Sequence, residues 1–146
     1  MINTTNKPWF LGFSVIIPRD SFGIVSSLNA LAQLRLDLGD AEVAREELHE
    51  ALTQGKELGF KKLVAKSLEA CARLAMAEHA PTRAAQIWGA AEALRRAINN
   101  PAKTLEQGRN AREQAVVEQE LGASTFAAAW AEGAALTLNE VVALAL

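Results

Sequence analysis

Residues 28–52 read LNALAQLRLDLGDAEVAREELHEAL, and this stretch decides the fold. Leu28, Leu31, Leu34 and Leu38, extended backwards by Ile24, recur at intervals of three and four, which lines them along one stripe of a helix. Val43, Ala44, Leu48, Ala51, Leu52 and Leu58 set out a second stripe, which stops at Gly59. Only Gly39 and Asp40 separate the two patterns: the glycine suits the left-handed end of one helix, and the aspartate caps the start of the next. Two amphipathic helices joined by so short a turn must pack antiparallel.

The same arrangement recurs downstream. Lys61 to about His79 carries Leu63, Val64, Leu68, Cys71, Ala72 and Ala75 on one side, and Pro81 opens a further helix whose face holds Ala84, Ile87, Trp88, Ala91, Leu94 and Ile98. Asn99-Asn100-Pro101 then breaks the pattern. Sliding the sequence by forty places Leu28 on Leu68, Ala32 on Ala72, Leu34 on Leu74, Ala44 on Ala84, Leu48 on Trp88 and Ala51 on Ala91. Both helices keep their phase and the turn keeps its place, the signature of a helix-turn-helix repeat. Repeats are therefore expected at about 21–60 and 61–100, with a C-terminal helical cap over 101–146 where the sequence repeat fades. The cap reads as a fifth helix from about 102 to 121, a sixth from 124 to 133 carrying Phe126 and Trp130 one turn apart, and a seventh. The seventh opens on a capping box, Thr137 with Glu140. The expected architecture is all-α: antiparallel helix pairs in a right-handed, tetratricopeptide-like solenoid of about seven helices.

Residues 1–20 stand apart. Trp9, Phe10, Leu11, Phe13, Val15, Ile16 and Ile17 are too apolar to stay in water without cost, yet so few residues cannot bury a core of their own. They are expected to lie on the first helix pair or on another copy, with a break near Pro18 to Asp20. The run is also far short of the ~20 residues that span a bilayer.

Composition narrows the functions available. Half of the 146 residues are apolar but only 5% are aromatic and tyrosine is absent, the make-up of closely packed Ala- and Leu-rich helices. Fifteen basic against 17 acidic residues give a formal charge of -2, which offers no global attraction for a polyanion, so direct nucleic-acid binding is not expected. A single cysteine, Cys71, excludes an internal disulfide framework and fits a reducing cytoplasm.

Catalytic and metal chemistry finds no foothold. Gly55-Lys56-Glu57 has Glu50 where a phosphate-binding loop needs its first glycine and Glu57 where it needs a hydroxyl. His49-Glu50 begins a zinc-protease pattern, but Thr53 replaces the second imidazole. His79 lies near a helix C-terminus and suits the negative dipole end. Glu46, Glu47 and Glu50, like Lys61, Lys62 and Lys66, read as solvated charge, while Cys71, Trp88 and Trp130 read as core. No enzyme activity, cofactor or metal is expected.

Three segments carry a family resemblance: Gly39-Asp40-Ala41-Glu42-Val43-Ala44-Arg45, Arg83 to Arg95 (RAAQIWGAAEALR), and Phe126 to Gly133 (FAAAWAEG) with Leu136-Thr137-Leu138 and Glu140. Together they resemble the C-terminal tetratricopeptide-like region of large bacterial signal-transduction ATPases, including transcriptional regulators of the LuxR and MalT type, over about Ser21 to Leu146. The resemblance implies a helical-repeat arm that follows a nucleotide-binding domain and serves as a sensor or interaction surface. The upstream domains of that family are not in this sequence, so a fragment or shortened relative is expected. The period of forty exceeds the ~34 of ordinary tetratricopeptide repeats, and their W-x-x-L-G-x-x-Y signature is absent.

The functional expectation is a non-enzymatic, cytoplasmic interaction or sensor module for a protein or peptide partner, without membrane contact. A small-molecule-binding helical bundle and a self-association module, with the chain as a homodimer, are the alternatives. The candidate site is a strip on the first helix of each pair: Ser26, Asn29 and Gln33, which the interval of forty maps onto Lys66, Glu69 and Arg73.

Overall fold

The computed structural model describes residues 8–146, with side chains described from residue 20. Its helices are α1 (Pro8–Asp37), α2 (Ala41–Leu58), α3 (Lys61–Ala77), α4 (Pro81–Ala97), α5 (Thr104–Leu121), α6 (Ala123–Ala134) and α7 (Leu138–Ala145), and the described residues hold no strand. The all-α expectation holds, and the helices pack in sequence-adjacent pairs from α1 through α4. Among the described residues no helix is long and apolar enough to cross a membrane.

The turns explain the spacing. Gly39, Gly59, His79 and Asn99, each twenty residues after the last, have positive φ of 81°, 76°, 59° and 51°. Each donates its N–H to a carbonyl three residues back, at Leu36, Lys56, Met76 and Arg96. The next residue reaches back five, to Arg35, Gly55, Ala75 and Arg95, which completes the same Schellman termination four times over. Histidine and asparagine are among the few side chains that tolerate this left-handed position. His79, read as a ring at the dipole end of α3, therefore also terminates the helix through its backbone. Asp40 departs from the expected cap, for its side chain makes no capping hydrogen bond. It is already turned by the bond from its N–H to Arg35 O, and its ψ of 69° lies outside the extended region a capping side chain needs.

At the N-terminal end the backbone leaves helical geometry at Asp20 (φ -126°, ψ 16°), within the break expected at 18–20, although residues 8–19 are helical as well. The expected packing of Trp9, Phe10 and their apolar neighbours lies outside the described residues.

Burial follows the repeat. Ala32 and Ala72, Ala44 and Ala84, Leu48 and Trp88, and Ala51 and Ala91 are all buried; all but Ala51, which packs in a smaller cluster with Val25 and Leu63, share one core. Each large apolar side chain so placed contributes roughly 1.5–3 kcal/mol. Cys71, 2% exposed, belongs to that core, and burial pushes its thiol up to about 12, leaving it a small apolar filler rather than a nucleophile. Trp88 is buried and Trp130 packs half-buried against the same cluster.

The C-terminal group closes the array in its own way. α6 packs chiefly on α4 instead of pairing with α5. Two glycines permit it: a Cβ at Gly89 would overlap the carbonyl oxygen of Trp130, and one at Gly133 would overlap that of Gln86. The backbones of α4 and α6 thus meet at reciprocal glycines within runs of alanine. α7 then starts on the expected capping box, Thr137 N–H donating to Glu140 Oε1 at 2.8 Å and Glu140 N–H to Thr137 Oγ1 at 3.2 Å.

Candidate interaction surface

Of the six strip residues on α1 and α3, the structure joins Gln33 and Arg73 directly. Arg73 on α3 donates through Nη1 to Gln33 Oε1 on α1, forty residues earlier. Its Nη2 reaches Asp37 Oδ1 at 2.6 Å, and its Nε donates to Glu113 Oε2 at 2.7 Å, forty residues later on α5. Lys66 Nζ lies 3.6 Å from Glu106 Oε2, again at an interval of forty. The repeat that fades in sequence beyond Pro101 therefore continues in space, with α5 supplying a third rung of polar side chains.

Burial divides the six residues. Asn29 and Glu69 are each 4% exposed, below the surface rather than on it. Ser26, Gln33, Lys66 and Arg73 are half-buried. The apolar period identifies a helix face correctly, but it says nothing of what lies over that face, and here part of the cover is α5.

Beneath the strip sits a charged pair that sequence reading missed. Arg95, in the last turn of α4, donates from Nε to Glu69 Oε2 and from Nη2 to Glu69 Oε1, and its Nη1 reaches Asn100 O at 3.2 Å. The side-chain hydrogen bond to Glu69, opposed by burial and helped by the charges of Glu69, Glu106 and Glu92, holds the guanidinium above its ordinary value, so it stays charged. At Glu106 burial works to raise the carboxyl, but Lys66, the Lys103 backbone N–H and Arg95 outweigh it and hold the group below the ordinary carboxylate value. The signal available in sequence was the pairing of Glu106 and Glu113 with Lys66 and Arg73 at the same interval of forty.

Other charged candidates lie apart from this strip. Glu46, His49 and Glu50 are exposed on α2, Glu47 pairs with Arg35 at 3.5 Å, and Lys61 and Lys62 point to solvent. Glu78, at the end of α3, ties Arg45 of α2 to Arg83 of α4.

No family model matches the chain, and neither does any solved structure. Among curated proteins it is 33% identical over 120 residues to proteins bearing the name "Putative HTH-type transcriptional regulator" from Mycobacterium bovis and Mycobacterium tuberculosis. The aligned part takes in 82% of this chain and 14% of each relative, so the chain spans about a seventh of the length of the curated relatives it matches.

Proposed function

We propose that the chain is a tetratricopeptide-like interaction or sensor arm of a bacterial transcriptional regulator, non-enzymatic and cytoplasmic, that takes a protein or peptide partner along its polar strip. The observation carrying this reading is the ladder Gln33–Arg73–Glu113, which ties α1, α3 and α5 side by side and presents one polar track. Stacked helices with aligned polar rungs make extended surfaces suited to a partner of matching repeat. The names of the relatives supply the regulatory setting, and the resemblance noted in the sequence supplies the repeat subclass.

The test is site-specific photocrosslinking in the native host, with the crosslinker at Gln33 on the track or at Arg109, whose Nε lies 3.9 Å from Glu113 Oε1, or at Glu46 or Glu50 on the exposed side of α2. A discrete adduct from the track alone is expected. Identical adducts from both sets of positions overturn the reading. Purified protein should also be silent in hydrolase, kinase and ATPase assays, and turnover abolished by one point mutation would contradict the non-enzymatic part.

A further inference from the structure

Leu31, Leu34 and Leu38 are 43%, 51% and 70% exposed towards the C-terminal end of α1. With the half-buried Ile24 and the exposed Ser27 they recur at alternating steps of three and four. That spacing is the seam of a coiled coil, which meets a second helix lying along it. Leu38, one residue past the helix, keeps its place on the seam through its N–H bond to Leu34 O at 3.0 Å.

The repeat provides an internal control. Forty residues on, Val64, Ser67, Cys71 and Leu74 hold the same places on α3 and are no more than 2% exposed. α3 packs on α2 as well as on α4, and a Cβ at Gly55 of α2 would stand 3.2 Å from Val64 Cγ2. Because α2 leads into α3 through the tight turn at Gly59 and Phe60, the chain covers that face itself. α1 follows no such turn. It runs back as helix to Pro8 through the non-helical Asp20, 30 residues against 17 in α3. It packs on α2 and α3, and its seam leucines stay in solvent. Within one copy of the chain the face is open, and exposed apolar faces of this kind mark association sites.

Charge favours a second copy of the same helix. From Ile24 to Leu38 the seam carries no charged side chain. Arg35 and Asp37, which flank it, are matched within the chain by Glu47 at 3.5 Å and Arg73 at 2.6 Å. Asp20, one heptad before Ser27, is exposed. An antiparallel arrangement keeps the two Asp20 carboxylates at opposite ends, whereas a parallel one sets like charges face to face. Such a seam is complementary to itself, so one two-fold axis relates the copies and closes the assembly.

We propose that α1 is a dimerisation face, pairing antiparallel with α1 of a second copy along Ile24, Ser27, Leu31, Leu34 and Leu38. The association is reversible, and dilution leaves Leu34 uncovered. The face differs from the strip of Ser26, Asn29 and Gln33, and either can stand without the other.

Sedimentation equilibrium of the full chain tests it. A mass near twice 15.7 kDa is expected at about 100 µM, falling towards the single chain at about 1 µM. Leu31→Glu combined with Leu34→Glu should weaken association at least about tenfold and leave the thermal midpoint of the dilute protein in place, since both side chains are exposed there. Leu38→Glu, past the last residue of α1, repeats the test where the fold is least at stake. Val116→Glu, a 51% exposed apolar position on α5, should leave the dimer intact. Asp20→Asn should leave affinity within about twofold, and a tighter dimer would mean parallel helices and overturn the arrangement. A single-chain mass at about 100 µM, which would leave the face to an unlike helix, overturns the proposal. So does an undiminished dimer in the Leu31/Leu34 and Leu38 variants, or an equal loss in Val116→Glu.

Discussion

Arg95 holds Glu69 by two parallel hydrogen bonds, Nε to Oε2 at 2.6 Å and Nη2 to Oε1 at 2.9 Å, where the side chains are only 4% and 5% exposed. The geometry is the bidentate form that makes guanidinium and carboxylate pair most strongly. Removing one partner leaves the other charge buried without its match, and Glu69→Leu should cost about 3–5 kcal/mol. The double change Glu69→Leu with Arg95→Met should recover most of that loss, because well-packed apolar replacements of buried pairs are often near neutral. Urea unfolding of the three variants decides it. A single-variant loss under about 1 kcal/mol would show that the pair is not desolvated.

The crossing of α4 and α6 predicts opposite outcomes for the same substitution. Gly133→Ala and Gly89→Ala each drive a methyl into a backbone carbonyl, which cannot step aside as a side chain could. Each is expected to destabilise by about 3 kcal/mol or more. Gly108→Ala, in α5, meets only Arg112 Nη1 at 3.6 Å and should stabilise by about 0.5–1 kcal/mol through helix propensity. Thermal unfolding of the three single variants orders them, and a neutral Gly133→Ala would mean the helices do not touch there.

Acid should weaken the fold through Glu106. Its carboxyl titrates below the ordinary 4.5 in the folded chain, so the ionised form is favoured by folding. That contribution is complete above about pH 4.5 and is lost as the pH falls through the lower folded value. Glu140, held down by the Thr137 backbone N–H and hydroxyl, acts in the same direction. Glu106→Gln should therefore flatten, without abolishing, the decline of the unfolding midpoint in acid, and at neutral pH it should cost within about 1 kcal/mol. An unchanged acid slope would show that Lys66 and Arg95 do not act on Glu106.

Leu34 and Leu74 occupy equivalent places forty residues apart, yet one is 51% exposed and the other 2%. Leu74 lies inside the stack, on a helix packed between α2 and α4, while Leu34 lies on α1, the first described helix. Leu74→Ala should cost about 2–5 kcal/mol, and Leu34→Ala should stay within about 0.5 kcal/mol. Equal losses in denaturant titrations would place a cover over α1.

How much of this was legible beforehand depends on range. Helix limits and the interval of forty follow from local apolar periods and from Gly39, Gly59 and Pro81, which punctuate the chain whatever packs around them. The third rung did not show, because α5 is positioned through Glu106 and Glu113 more than through an apolar stripe. Gly89 and Gly133 look like weak points in helices until the partner helix is seen across them. Asn29 and Glu69 were read as part of the strip, yet both are buried; for Glu69 the partner is Arg95 of α4, which no spacing within α3 encodes.

The four identical helix endings have a consequence for how such a chain can change in length. Because α2, α3 and α4 begin at residues 41, 61 and 81, a single residue gained inside any of them would swing everything downstream by about 100° around the helix axis. Gln33, Arg73 and Glu113 would then lose their common bearing. The array therefore tolerates growth only in whole beats, a helix or a pair at a time. An odd residue is more readily absorbed in the passage 101–103, between the last of those endings and α5.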